Sequence, residues 1–230
     1  MEDFAYSDGD TGLIGRLFRP ASHPRAAVVV FPTIMNIAPN AIRRGQMLAD
    51  AGYLALVADL YGTAAADRAE ASRMGERLRE DWVGYRSRIA AAIHALSGHP
   101  DPGTLPMAAI GYCMGGQAAL EAARMNLAVV AAVSFHGLLS TDMPATAPIR
   151  PRILVCHGDA DPLATREQVA GFQAEMDRAG ANWHLHVYSG VKHGFTDPQS
   201  DSHGLPALGY DASADRQSWA SMLSLFDEVF

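Results

Sequence analysis

One hexapeptide constrains this chain more than any other segment: Gly111-Tyr112-Cys113-Met114-Gly115-Gly116. It follows the apolar run Met107 to Ile110 and precedes Gln117 to Arg124, which reads as a helix. A strand that turns at once into a helix leaves the middle side chain of a Gly-x-Cys-x-Gly segment exposed at the turn. The flanking glycines are needed because a Cβ clashes in so tight a bend. Cys113 then stands at the helix N-terminus, where the dipole and free N–H groups favour a thiolate. The same residues also fit a buried cysteine at a Gly-flanked strand end. The strand–turn–helix context favours a nucleophile, in the place more often held by Ser.

The rest of the chain supplies a fold for such a turn. Phe4 to Tyr6 and Gly12 to Phe18 read as an antiparallel edge pair. Ala26 to Phe31 and Tyr53 to Ala58 are continuous apolar runs, the mark of strands buried on both faces. Further strands are expected at Met107 to Ile110, Val129 to Phe135, Ile153 to His157 and Trp183 to Tyr188. Helices are expected at Asn40 to Ala51, at Arg166 to Ala179 (closed by Gly180) and at Asp215 to Phe230. Two more fall within Ala64 to Leu96, broken near Asp81 to Gly84, before a loop from Ser97 to Leu105. This alternation predicts an α/β fold, a mostly parallel sheet flanked by helices on both faces. Residues 1–230 are expected to form one domain. Two long irregular stretches, Leu138 to Pro151 and Thr196 to Ser213, are candidates for pocket walls or lids.

Composition narrows the partners. A net charge of -7 argues against nucleic acid and anionic membrane. No run approaches the length of a membrane span. Met1-Glu2-Asp3-Phe4 lacks the basic-then-apolar pattern of a secretory leader, so a cytoplasmic location is expected. Cys113 and Cys156 are the only cysteines and suggest no disulfide framework; Cys156 reads as an inert core thiol. His184 and His186 share a strand face, yet no complete metal-ligand set accompanies them, with His157 or Asp159 as the nearest candidates. No Gly-rich nucleotide fingerprint is present, and no cofactor or metal is expected.

A thiol nucleophile needs a base, and the base needs a group to orient it. After Cys113 come Asp161, in His157-Gly158-Asp159-Ala160-Asp161-Pro162, and then His193, in Lys192-His193-Gly194-Phe195. Both follow the carboxyl ends of expected strands, on the same rim as Cys113, where open α/β sheets bind ligands. Asp161 also suits the N-cap of the next helix, and His193 alone reads as a surface histidine. Asp159 competes for the acid role, though its spacing suits the motif less well. His136 ends a strand at the same rim and reads equally as pocket lining or packing. Tyr61, Trp82 and Phe195 are candidate pocket aromatics, with core packing the plainer reading.

The chain resembles the dienelactone hydrolase family of α/β-hydrolases. The resemblance is carried by Gly111 to Gly116, by Ala58-Asp59-Leu60-Tyr61-Gly62, by His157 to Pro162 and by His193-Gly194-Phe195, in the family's order. It implies an α/β-hydrolase fold and a Cys113–His193–Asp161 triad acting on a carboxylic ester or lactone through a thioester. It also implies an oxyanion hole formed by the backbone N–H groups of Ile34 and Met114. Two positions depart from the family. A Glu that helps activate the thiol is replaced by Thr33, and an Arg that holds a substrate carboxylate is replaced by Asp197. A neutral ester or lactone suits these replacements better than an anionic one. Arg68, Arg73 and Arg77 are candidates for a second substrate arginine, with solvated helix faces the plainer reading. Two other functions share the fold: a broad carboxylesterase or thioesterase, and a non-hydrolytic ligand-binding or thiol redox-sensing protein.

Overall fold

A computed structural model describes residues 1–100 and 103–230; the middle of the expected Ser97 to Leu105 loop lies outside the described residues. The described residues form one eight-stranded sheet in the order β1-β2-β4-β3-β5-β6-β7-β8. Strands β1 (Glu2–Asp8) and β2 (Thr11–Phe18) make the expected antiparallel pair at one edge. β2 also runs antiparallel to β4 (Leu54–Val57). From β4 onward the strands are parallel: β3 (Ala27–Phe31), β5 (Met107–Tyr112), β6 (Ala131–Phe135), β7 (Arg152–Gly158) and β8 (Trp183–Tyr188). The fold is the expected one, an α/β sheet covered on both faces.

Alternation along each strand sends residues to two cores. In β3, Val28 and Val30 join the layer that includes Leu48, Met222 and Phe226, from α1 (Pro39–Asp50) and α6 (Ala212–Val229). Val29 and Phe31 join the opposite layer, with Tyr85 and Ile89 of α3 (Trp82–Ser97) and Ala118 of α4 (Met114–Arg124). Strand β7 splits likewise, sending Ile153 and Val155 toward Phe172 and Met176 of α5 (Arg166–Arg178). Each such side chain withdrawn from water contributes about 1.5–3 kcal/mol, which is why the central strands read as unbroken apolar runs. Of the six helices among the described residues, none is long and apolar enough to cross a membrane.

Helix ends follow local chemistry. Asp81 separates α2 (Arg68–Glu80) from α3 and accepts a bond from the Gly84 N–H, so the break falls at one capping residue. Thr165 and Gln168 form a capping box at the start of α5. Gly180, at φ +58°, ends that helix.

Helix α4 is the exception to surface amphipathicity. All of its residues are buried, and it packs against β5, β6 and β3 at once. Small residues make this possible. A Cβ on Gly111 would stand 1.8 Å from the Gly115 carbonyl oxygen, and one on Gly115 would stand 2.0 Å from that of Phe31. Gly115→Ala is therefore expected to cost about 3 kcal/mol by overpacking against backbone, measured by urea unfolding. Gly171→Ala, on the exposed side of α5 with nothing within 4 Å, should instead stabilise by roughly 0.5–1 kcal/mol. Equal effects at the two sites would refute the packing argument.

Candidate active site

The turn between β5 and α4 places Cys113 as the N-cap of α4, at φ +56° and ψ -120°. Such a conformation in a non-glycine residue costs on the order of 1–3 kcal/mol and persists only where the surroundings impose it. Here the Cys113 N–H is held by the Phe135 carbonyl at 3.1 Å, and its carbonyl accepts from the Gly116 N–H at 2.9 Å. The side chain is half-buried and opens on a cavity of about 450 Å³.

His193 follows β8 through a turn at Gly190, φ +73°. Its N–H donates to the Ala207 carbonyl at 3.1 Å, and the Gly209 N–H donates to its carbonyl at 3.1 Å. The ring is buried, and Nδ1 lies 2.7 Å from Asp161 Oδ2. The second Asp161 oxygen accepts from the Leu163 N–H at 2.8 Å. Asp159 turns outward and pairs with Arg166 at 2.8 Å. The carboxylate that reaches the imidazole is thus Asp161.

Electrostatics couple the thiol and the imidazole. Burial pushes the Cys113 thiol up, but the positive His193, the Met114 N–H and Arg79 together bring it below its ordinary value. Burial likewise disfavours the charged form of His193. The facing Cys113 charge and the bond to Asp161 outweigh it and raise His193 to about 10. His193 Nε2 has no aligned hydrogen-bond partner among the described residues, so the two groups meet chiefly as charges.

His136 resolves as both pocket and packing residue. It lines the cavity, is 1% exposed and sits at φ +39°. Its ring meets the His193 ring edge-on with centroids 5.0 Å apart, while Nε2 lies 2.9 Å from Thr196 Oγ1. Burial, then the charges of His193 and Arg44, hold it neutral. The Thr196 carbonyl accepts from both Arg43 and Arg44 at 2.7 Å, and Arg44 forms a buried ion pair with Asp215.

The turn after β3 is tied down from another side. Asn36, at φ +53°, donates to Asp59 Oδ1 at 2.7 Å and accepts from the Leu60 N–H at 3.0 Å. Asp59 also accepts from the Ile14, Tyr61 and Gly62 N–H groups. Thr33 spends its hydroxyl on the Met35 N–H at 3.1 Å. The Ile34 N–H donates to no protein group among the described residues, and the Ile34 side chain lines the cavity.

The structure decides several readings that the sequence leaves open. Arg68 is not merely a solvated residue: it lines the cavity, whereas Arg73 and Arg77 are exposed. Arg79, which the sequence did not single out, acts on the thiol through its charge. Trp82 donates to Asp142 beside a separate, shallow cleft, and Phe195 is core, edge-on to His136 and tilted against Tyr188. Tyr61 bonds the Ile34 carbonyl at 3.2 Å, outside the cavity lining. The stretch from Thr196 forms a cavity wall through Asp197, His203 and Leu205 to Leu208, with a short 3-10 turn at Ser200–His203. The Leu138 to Pro151 stretch instead contributes Ser140 and Asp142 to the shallow cleft.

Alkylation of Cys113 by iodoacetamide, followed against pH, is expected to have a midpoint below that of an ordinary thiol. His193→Ala should move it upward, because burial then meets weaker opposition. Cys156, which burial pushes up to about 12, will not compete. An unmoved midpoint would show that His193 does not control the thiol.

A structure described as a dienelactone hydrolase-like promiscuous phosphotriesterase from metagenomic libraries is 38% identical, with TM-score 0.93, covering 100% of this chain and 98% of that one. A probable 2-oxo-3-(5-oxofuran-2-ylidene)propanoate lactonase of Bradyrhizobium sp is 28% identical over 77% of this chain and 76% of its own length. An uncharacterized protein of Caenorhabditis elegans is 32% identical over 63% of this chain and 94% of its own. The family model described as "Dienelactone hydrolase family" matches residues 13–230. This chain belongs to the dienelactone hydrolase family.

Proposed function

We propose that the protein hydrolyses carboxylic esters or lactones through a Cys113–His193–Asp161 triad and a thioester acyl-enzyme. One observation carries this reading. A thiol held in a strained turn at a helix N-terminus shares a cavity with an imidazole whose other nitrogen is bonded to a buried carboxylate.

The Cys113 thiol gives its proton to His193 Nε2, and the sulfur attacks the carbonyl carbon; a C–S bond forms and the carbonyl electron pair moves to oxygen. The N–H groups of Ile34 and Met114 hold that oxyanion. The intermediate collapses, the C–O bond breaks, and the departing oxygen takes its proton from His193 Nε2. Asp161 keeps Nδ1 protonated and stabilises the imidazolium. Water then attacks the thioester and His193 accepts its proton; the C–S bond breaks, the acid leaves, and the proton on His193 returns to the sulfur. Thr33 cannot replace a carboxylate as a base, because a neutral hydroxyl does not hold a second proton near neutral pH; its oxygen accepts from the Met35 N–H in the Ile34 turn. Thiol activation rests on His193, the α4 N-terminus and Arg79. The lactonase relative supports a cyclic ester among the substrates. The phosphotriesterase relative makes phosphotriester cleavage a second reaction open to the same thiolate.

Steady-state hydrolysis of 4-nitrophenyl acetate tests the reading. The native chain should turn over many times, Cys113→Ala not at all, and His193→Ala should be slower by about 10³–10⁴-fold. Turnover untouched by Cys113→Ala would sink the mechanism. A reactive, oxidisable thiol with no turnover would favour the redox-sensing alternative.

Asn36→Gly offers a second check, since glycine keeps the positive φ but removes the tether to Asp59 and Leu60. It should lower kcat roughly 100-fold if Ile34 supplies one oxyanion donor, with iodoacetamide alkylation unchanged. Unchanged kcat would remove Ile34 from the oxyanion hole.

A further inference from the structure

The cavity wall nearest the imidazole is unusual in its chemistry. Leu163 and Leu205 both line the cavity, yet they remain 45% and 44% exposed. Isolated surface leucines are ordinary. These two come from different loops, and each loop is bonded to the proposed machinery. Leu163 donates its N–H to Asp161 Oδ1 at 2.8 Å. The segment carrying Leu205 and Leu208 is pinned to His193 by the bonds through Ala207 and Gly209, which together form a parallel bridge between His193 and Leu208. Both leucines therefore belong to loops bonded to His193 or to its partner Asp161, whereas Ile34 belongs to the turn after β3 and Met114 to the start of α4.

That placement identifies a part of the substrate, provided the ester-hydrolase reading holds. His193 delivers its proton to the departing oxygen, so the departing group must lie on its side of the cavity. Water-exposed leucines there gain contact when an apolar group displaces water. Asp197 lines the same wall, with Oδ1 accepting from the Gln199 N–H at 3.0 Å. Its charge disfavours a second carboxylate in that space. We infer that the wall formed by Leu163, Leu205 and Leu208 is a subsite for an uncharged apolar alcohol, of aryl or branched-alkyl kind, released from the ester.

The product of such a reaction is a probe that needs no turnover. 2-Naphthol should protect Cys113 from iodoacetamide, and 6-hydroxy-2-naphthoate, the same ring with a carboxylate, should protect more weakly. Replacing both leucines, Leu163→Asn with Leu205→Asn, should weaken naphthol protection by about tenfold. The exposure of both side chains keeps the double variant folded. Asp197→Asn should narrow the gap between the two probes. Equal naphthol protection in the double variant, or stronger protection by the carboxylated ring, would overturn the inference. Because alkylation does not require catalysis, this result stands apart from whether 4-nitrophenyl acetate is hydrolysed.

Discussion

The close approach of helix α4 to the sheet is the constraint on which everything else rests. Where Gly111, Gly115 and Gly116 stand, a single extra carbon would meet backbone or the Ser134 hydroxyl at 1.8 to 2.7 Å. Only hydrogen at these α-carbons lets the helix begin directly on the strand end. That contact fixes the strained backbone at Cys113, aims the helix N-terminus into the cavity and sets the Phe31 carbonyl, at the end of β3, against the helix. The turn that presents Ile34 follows from the same strand end. One packing decision thus brings the thiol, the Met114 N–H and the Ile34 turn close together, before any charged group is considered.

Charge then works against burial. A half-buried thiol and a buried imidazole would each be held neutral by their surroundings. Each becomes chargeable because the other is there, with Asp161 steadying the imidazole and Arg79 and the Met114 N–H steadying the sulfur. His136 fits this balance by being neutral: a second positive ring 5.0 Å from His193 would undo the pairing.

Much of this was legible in the sequence. The sheet, both faces of helices and the antiparallel edge follow from apolar runs and capping residues. Cys113, Asp161 and His193 are visible because each follows a strand end, and topology carries strand ends to one rim. What escaped was the set of residues whose role depends on side-chain reach across elements. Arg79 looks like the other arginines of an exposed helix, and periodicity carries no signal that its charge reaches the thiol. Asn36 shows no pattern at all, because its importance lies in a bond to Asp59, 23 positions away. His136 could be placed at the rim, but its neutrality comes from two positive neighbours distant in the chain.

The arginine pair on α1 has a consequence for how the molecule comes into being. Arg44 joins the Thr196 carbonyl beside the imidazole to Asp215 on the last helix, and its guanidinium lies over Tyr112 and Trp219, 5.3 and 5.4 Å from the ring centroids. Residues from the first fifth of the chain, the elbow strand and the final helix are locked together by one buried cation. During synthesis from the N-terminus the strained cysteine turn can be built early, while Arg44 still awaits its counter-ion. Because Asp215 is made late, the ion pair that braces the Thr196 turn beside His193 closes only after the cysteine turn, β8 and the loop that follows it have all been synthesised.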